Sequence, residues 1–147
     1  MDLHITDYCG ALEHRPSKNT YAIRISAPRF PACDPLIASD FYKCISSYSF
    51  NDTLPGRVMP GEILFSEDLA LRMLRAFDYD RMVCESLLVH CSQGQNRSPA
   101  VAMALNDLFS LGHDTGKLME QYPEYNTHVY NILKKVGERQ FGHAKLV

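Results

Sequence analysis

The sequence has no tryptophan, no Cys-x-x-Cys pair and no apolar run approaching the ~18 residues needed to cross a bilayer. It also lacks an excess of either charge, because 15 Lys and Arg stand against 17 Asp and Glu, for a net charge of −2. General binders of nucleic acid or of anionic membranes are normally basic. We therefore expect no membrane partner and no nucleic-acid partner, and any phosphate chemistry must be local.

The cysteines and histidines also lack the spacing of a metal site. There are five cysteines and six histidines, and neither set has the intervals of metal ligands. A domain of 147 residues can bury enough surface to fold without disulfides or a metal. No basic flank and apolar run follow Met1, so no signal peptide is indicated. We expect one domain over residues 1–147, no cofactor, and a reducing cytoplasmic compartment in which free thiols persist.

Strand-like segments dominate the first part of the chain. Residues 21–26 alternate in polarity, and residues 41–50 are rich in aromatic and β-branched side chains. Turn residues follow at 51–56. Residues 87–89 form a short apolar run, which is typical of a buried parallel strand.

Helical periodicity appears after residue 65. Ser66 can cap a helix, a second helix is predicted over residues 99–111 with Gly112 ending it, and a third over residues 126–136. Strands followed by helices favour an α/β fold with a mainly parallel central sheet flanked by helices.

The most informative segment is the strand, loop and helix start over residues 87–100. His90 and Cys91 end the strand, five uncharged loop residues follow, and Arg97 opens the helix. A loop wrapped over a helix N-terminus points its backbone N–H groups into one concavity, which makes an anion site. Gly94 allows a close backbone approach, and the planar Arg97 guanidinium can bind two phosphate oxygens at once. Such a field favours a thiolate at Cys91.

These residues resemble the signature of the protein tyrosine phosphatase superfamily, which is His-Cys, five residues, Arg, and then Ser or Thr. The segment from His90 to Ser98 matches it throughout, and Gly94 with Pro99-Ala100 is most similar to the small dual-specificity-type branch. The resemblance implies a cysteine-phosphatase fold with a strand–phosphate loop–helix site. It also implies hydrolysis of phosphomonoesters through a phosphocysteine intermediate, with a phosphotyrosine-containing protein or peptide as substrate.

The resemblance implies a role for each matching residue. Cys91 is the expected nucleophile, Ser98 the hydrogen-bond donor to its sulfur, and His90 a residue that braces the loop. The expected phosphate-binding residues are Ser92, Gln93, Gly94, Gln95, Asn96 and Arg97.

Phosphoryl transfer also needs a proton donor for the leaving oxygen. Asp52 fits the position that small family members use, because it follows a strand-like segment and opens a Pro/Gly-containing loop. Its 39-residue interval to Cys91 is somewhat long, and the extra length can be absorbed between Thr53 and Glu62. Asp68 is the nearest competitor, although a position in a first helical turn explains it adequately.

Other functions remain open at this point. A rhodanese-type sulfurtransferase also uses a Cys-headed loop, but it has no need of Arg97. A phosphoinositide phosphatase or an RNA 5′-triphosphatase would keep the same catalytic core, and the Asn96-Arg97 pair is faintly similar to the latter. A non-catalytic phosphotyrosine-binding module is the third alternative, and the presence of both Cys91 and Arg97 argues against it.

Overall fold

A four-stranded parallel sheet forms the centre of the molecule. The computed structural model describes the backbone of residues 1–146 and the side chains of residues 1–141. The strands are β1 (Asp2–Thr6), β2 (Thr20–Ser26), β3 (Tyr42–Ser49) and β4 (Ser86–His90). Their order in the sheet is β1–β4–β2–β3, and every pairing is parallel. The predicted α/β class with a mainly parallel sheet is therefore confirmed.

Five helices accompany the sheet within the described residues. They are α1 (Tyr8–Glu13), α2 (Glu67–Asp80), α3 (Arg97–Phe109), α4 (Thr115–Gln121) and α5 (Thr127–Leu146). Helices α2, α3 and α5 supply most of the main core on one face of the sheet, and α1 contributes to a smaller core on the other. Over residues 1–146, no helix has both the length and the apolar character to cross a membrane.

The helix boundaries differ in part from the predicted ones. Ser66 caps α2 as predicted, since its Oγ accepts a hydrogen bond from the Leu69 N–H at 3.2 Å. Helix α3 begins at Arg97, the residue that the loop pattern predicts to open it, although the helical periodicity predicts a start at 99. It ends where Ser110 adopts a left-handed conformation (φ 54°). Gly112 therefore lies beyond the C-cap and does not end the helix itself. Helix α5 continues ten residues past the predicted end at 136.

Two short helices were not predicted from the sequence. Helix α1 has 6 residues and α4 has 7, and each contains a glycine, which disfavours helix. Each depends on an aspartate cap: Asp7 Oδ1 accepts from the Gly10 N–H, and Asp114 Oδ1 from the Lys117 N–H. Helices this short form mainly because tertiary packing holds them, which periodicity does not reveal.

The central strand β4 sends alternate side chains to opposite faces of the sheet. Leu87, Val89 and Cys91 belong to the main core, whereas Leu88 belongs to the smaller core with Ala11. His90 shares the Leu88 face. The side chains of His90 and Cys91 therefore lie on opposite faces of the sheet, although the two residues are neighbours in the chain.

We predict that Gly137→Ala destabilises the protein, although alanine normally favours a helix by about 1 kcal/mol over glycine. A Cβ at Gly137 of α5 would lie 2.6 Å from Cδ2 of the buried Leu108 side chain of α3, and closer still to its Cδ1. Overpacking of this kind costs about 1–3 kcal/mol, so the steric term should win. Chemical denaturation should show a lower free energy of unfolding for Gly137→Ala than for the exposed control Gln140→Ala. Equal or greater stability than the control would contradict the proposed packing.

Candidate active site

The loop between β4 and α3 lies directly against the turn between β1 and α1. Gly94 has φ 71°, and a Cβ there would lie 2.7 Å from both the Asp7 nitrogen and the Thr6 carbonyl carbon. The Tyr8 N–H donates to the Ser92 carbonyl at 3.3 Å. Both the left-handed conformation and the close backbone approach require glycine at this position.

The Cys91 sulfur lies at the bottom of a small cavity that this loop encloses. The Gly94 N–H donates a hydrogen bond to Sγ at 3.2 Å, and Ser98 Oγ lies 3.2 Å from the same atom. The Cys91 residue itself is buried. A backbone N–H and a hydroxyl that can donate therefore both lie within hydrogen-bond distance of the sulfur.

Arg97 connects this loop to the segment that precedes Asp52. Its Nη1 donates to the Phe50 carbonyl at 2.7 Å, and its Nη2 donates to Ser92 Oγ at 3.3 Å. The buried Nε–H has no hydrogen-bond acceptor among the described residues. A buried donor without a partner costs free energy, and an anion bound in the adjacent cavity would satisfy it.

The structure brings most of the predicted site residues to one cavity of about 150 Å³. Its lining residues are Asp52, Cys91, Ser92, Gln93, Asn96 and Arg97. Gly94 and Ser98 contact the Cys91 sulfur. Gln95 is exposed and does not line the cavity. Asp68 is exposed in the first turn of α2 and is absent from this lining.

Asn126 holds Asp52 at the cavity. The sequence predicts this residue only as the start of a helix. Its Nδ2 donates to Asp52 Oδ1 at 2.8 Å and to the Thr53 carbonyl at 3.2 Å. Its backbone N–H donates to the Asn96 carbonyl at 2.9 Å. Its Oδ1 accepts from the Val129 N–H at the start of α5. Asn126 thus joins the Asp52 segment and α5 through its buried side chain, and the loop through its backbone N–H.

A pair of hydrogen bonds closes the base of the Asp52 loop. The Asn51 N–H donates to the Ile63 carbonyl at 2.8 Å, and the Ile63 N–H donates to Asn51 Oδ1 at 2.7 Å. The residues between them form a loop with its ends tied together. This loop contains the span from Thr53 to Glu62 in which the sequence predicts the extra length to lie.

His90 lies on the far side of the sheet from the cavity, between β2 and α1. Arg24 is its register partner on β2, and Arg24 Nε donates to His90 Nε2 at 2.9 Å. The Tyr8 ring contacts the imidazole edge-on, with centroids 5.9 Å apart. Burial, and then the charge of Arg24, lower the pKa of His90 to about 4. His90 is therefore neutral at pH 7, which suits a residue that supports the loop and does not transfer a proton.

The described side chains contain no cluster of three or more His, Cys, Asp or Glu groups arranged to hold a metal ion. The positive charge at the cavity comes instead from Arg97 and from the N-terminal end of α3.

We predict that His90→Gln reduces the loss of stability on acidification. His90 has a lower pKa when folded than its ordinary value of 6.5, so the stability it contributes is complete above pH 6.5 and disappears as pH falls toward 4. The parent should lose on the order of 2–3 kcal/mol more than His90→Gln over that range. Glutamine keeps an acceptor for Arg24, and the exposed His4→Gln serves as control. Parallel pH profiles for the parent and His90→Gln in urea titrations would exclude this account.

Comparison with known proteins supports the fold. No protein-family model and no curated protein sequence matches the chain. The structure is similar to the crystal structure of the human tyrosine phosphatase-like serine/threonine/tyrosine-interacting protein, with a TM-score of 0.51 and 16% sequence identity. The similarity covers 99% of this chain and 93% of that chain. The chain therefore has a phosphatase-like α/β fold.

Proposed function

We propose that this protein is a cysteine-dependent protein tyrosine phosphatase. The reaction is hydrolysis of a phosphomonoester through a phosphocysteine intermediate. Cys91 is the nucleophile, Arg97 and the loop amides bind the phosphoryl oxygens, and Asp52 is the general acid.

One observation carries the proposal: the arrangement of charge and hydrogen bonds around Cys91 Sγ. The sulfur accepts from the Gly94 N–H, and Asp52 and Arg97, whose buried Nε–H has no partner among the described residues, line the same cavity. Phosphoryl transfer to cysteine requires a nucleophile, a hydrogen-bond donor that can bind the phosphoryl oxygens, and a proton donor for the leaving group.

In the first step the Cys91 thiolate attacks phosphorus in line with the leaving oxygen. The sulfur–phosphorus bond forms as the phosphorus–oxygen bond breaks, and Asp52 gives its proton to the departing phenol or alcohol. Arg97 and the backbone N–H groups of the loop stabilise the equatorial oxygens in the transition state. The Asn126 donor occupies Asp52 Oδ1, which leaves Oδ2 to carry the transferable proton.

In the second step a water molecule attacks phosphorus opposite the sulfur. The Asp52 carboxylate takes a proton from this water, the sulfur–phosphorus bond breaks, and Cys91 leaves as a thiolate. The Ser98 hydroxyl, 3.2 Å from Sγ, can donate a hydrogen bond to the charge that returns to the sulfur. Inorganic phosphate is released, and the enzyme returns to its starting state, with Asp52 protonated and Cys91 a thiolate.

A phosphotyrosine-binding module without catalysis is a second candidate, since the similar human structure is described as phosphatase-like and interacting. The two candidates differ in whether phosphate is released. Turnover of a small aryl phosphate, inhibited by vanadate, supports the enzyme, whereas phosphopeptide binding with no phosphate release supports the module.

We predict that Cys91→Ser abolishes turnover and keeps anion binding. The rate with a small aryl phosphate should fall below roughly one-thousandth of the parent rate, because the nucleophile is lost. Arg97 and the loop amides remain, so inorganic phosphate should still bind in a calorimetric titration. Cys84→Ser, which alters a thiol outside the cavity, is the control. Substantial turnover by Cys91→Ser would rule out the covalent mechanism.

We predict that Asp52→Asn slows hydrolysis most for poor leaving groups. A general acid contributes roughly 10²–10⁴ in rate, and an activated aryl phosphate needs it least. The variant should therefore lose far more activity on a phosphotyrosine peptide than on an activated aryl ester. It should also flatten the basic limb of the rate–pH profile.

The matched control is Asp68→Asn, which removes an exposed carboxylate from the first turn of α2 and should behave like the parent. If Asp68→Asn shows the leaving-group dependence and Asp52→Asn does not, the assignment of the acid is wrong while the roles of Cys91 and Arg97 stand.

A further inference from the structure

A second, larger cavity of about 630 Å³ adjoins the candidate active site. Ser92 lines both cavities, so they meet at the first residue of the phosphate loop. The walls of the second cavity come from α1, the end of β2 and the segment that follows β2. The residues that matter here are Tyr8, Ile25, Arg29, Phe30, Pro31 and Asp34.

Local hydrogen bonds fix the shape of this cavity. The Phe30 N–H donates to the Ala27 carbonyl at 3.0 Å, which closes a turn and leaves Phe30 76% exposed. On the opposite wall the Tyr8 hydroxyl donates to Asp34 Oδ2 at 2.6 Å and accepts from the Asp34 N–H at 3.0 Å. The cavity is therefore held open by its own walls before any ligand arrives.

Tyr8 and Asp34, two polar residues of the cavity, are hydrogen-bonded to each other. The Asp34 carboxylate is bound by Tyr8, and the Arg29 guanidinium extends toward Gly61 of the Asp52 loop, 3.5 Å from where a Cβ would lie. Arg29 is the one Lys or Arg of the described lining, so a highly charged ligand has little to pair with. What remains available is the exposed apolar surface of Phe30 and Pro31.

We propose that this cavity binds an apolar side chain, aromatic or branched aliphatic, that is adjacent to the phosphorylated residue of a peptide substrate. This inference rests on the proposed function, because the phosphoryl group in the Cys91 cavity places the peptide. Neighbouring Cα atoms are only about 3.8 Å apart, so a side chain beside the phosphoresidue can reach a cavity that shares Ser92 with the phosphate site. Cavities of roughly 300–1,000 Å³ with mainly apolar walls are typical of ligand sites.

The geometry assigns the strongest effect to Phe30. A large aromatic side chain this exposed gains free energy when a ligand covers it. Phe30 does not line the cavity that contains Cys91, Arg97 and Asp52. Its replacement should therefore alter peptide selection without altering the chemical step.

The first experiment compares phosphotyrosine peptides that differ only in the adjacent residue, either Leu, Phe or Ala. The parent should show a kcat/KM roughly 10- to 100-fold higher for Leu or Phe than for Ala. Phe30→Ser should remove most of this preference and leave the rate with a small aryl phosphate unchanged. The control Tyr79→Ser removes an equally exposed aromatic side chain at the far end of α2, and it should keep the preference.

A second experiment tests the cavity without turnover. In Cys91→Ser protein, a bound Leu peptide should slow alkylation of Cys9 and Cys33, which are exposed and line the cavity, and the Ala peptide should slow it much less. Cys84 is buried outside the cavity and should not respond.

The outcomes separate the two proposals. Absence of any aryl phosphate turnover, with the Leu peptide still protecting Cys9 and Cys33, overturns the enzyme and supports the cavity. Normal turnover with equal kcat/KM for all three peptides, or a preference that persists in Phe30→Ser, overturns the cavity proposal alone. Hydrolysis of an RNA 5′-triphosphate in preference to every phosphopeptide overturns the peptide assignment.

Discussion

The contact between Gly94 and the backbone of Thr6 and Asp7 is the constraint on which the candidate site depends. With no room for a Cβ and φ 71°, the loop can approach the β1–α1 turn and direct the Gly94 N–H to Cys91 Sγ. The same turn places Tyr8 against His90. The parallel sheet thus supports the loop from below, and the loop geometry follows from backbone packing more than from any charged pair.

Three chain segments meet around that loop. The polar residues that connect them, Arg97 and Asn126, each contact more than one segment. Arg97 is bound to the Phe50 carbonyl just before Asp52, and its buried Nε–H has no hydrogen-bond partner among the described residues. Asn126 caps α5 and also binds Asp52. The rigid sheet and helices therefore set the distance between the proposed nucleophile and the proposed acid, although both lie at loop positions. Preorganisation of this kind is the main way in which proteins stabilise charged transition states.

The buried pair of Arg24 and His90 places a positive charge on the opposite face of the same strand end. Burial and this charge keep the imidazole neutral, with a pKa of about 4, so it accepts the Arg24 N–H. Arg24 Nη2 then reaches the Asp34 carbonyl, which connects the sheet to the wall of the larger cavity. The hydrogen bonds that support the loop after β4 and those that shape the adjoining cavity therefore belong to one network.

Local sequence predicted the strand, loop and helix within residues 87–111, although not every boundary, together with the Ser66 cap and the α/β class. Each of these depends on neighbours within a few residues, which periodicity and capping rules describe. Sequence also supplied both candidate acids, Asp52 and Asp68, but only the fold separates them. The contact of Asp52 with Asn126 spans 74 residues, and that of Arg24 with His90 spans 66. Helices α1 and α4, and the cavity beside Ser92, likewise exist only through packing. The physical reason is that a side chain's partner across the sheet is set by strand order and register, and no local pattern in the chain encodes these.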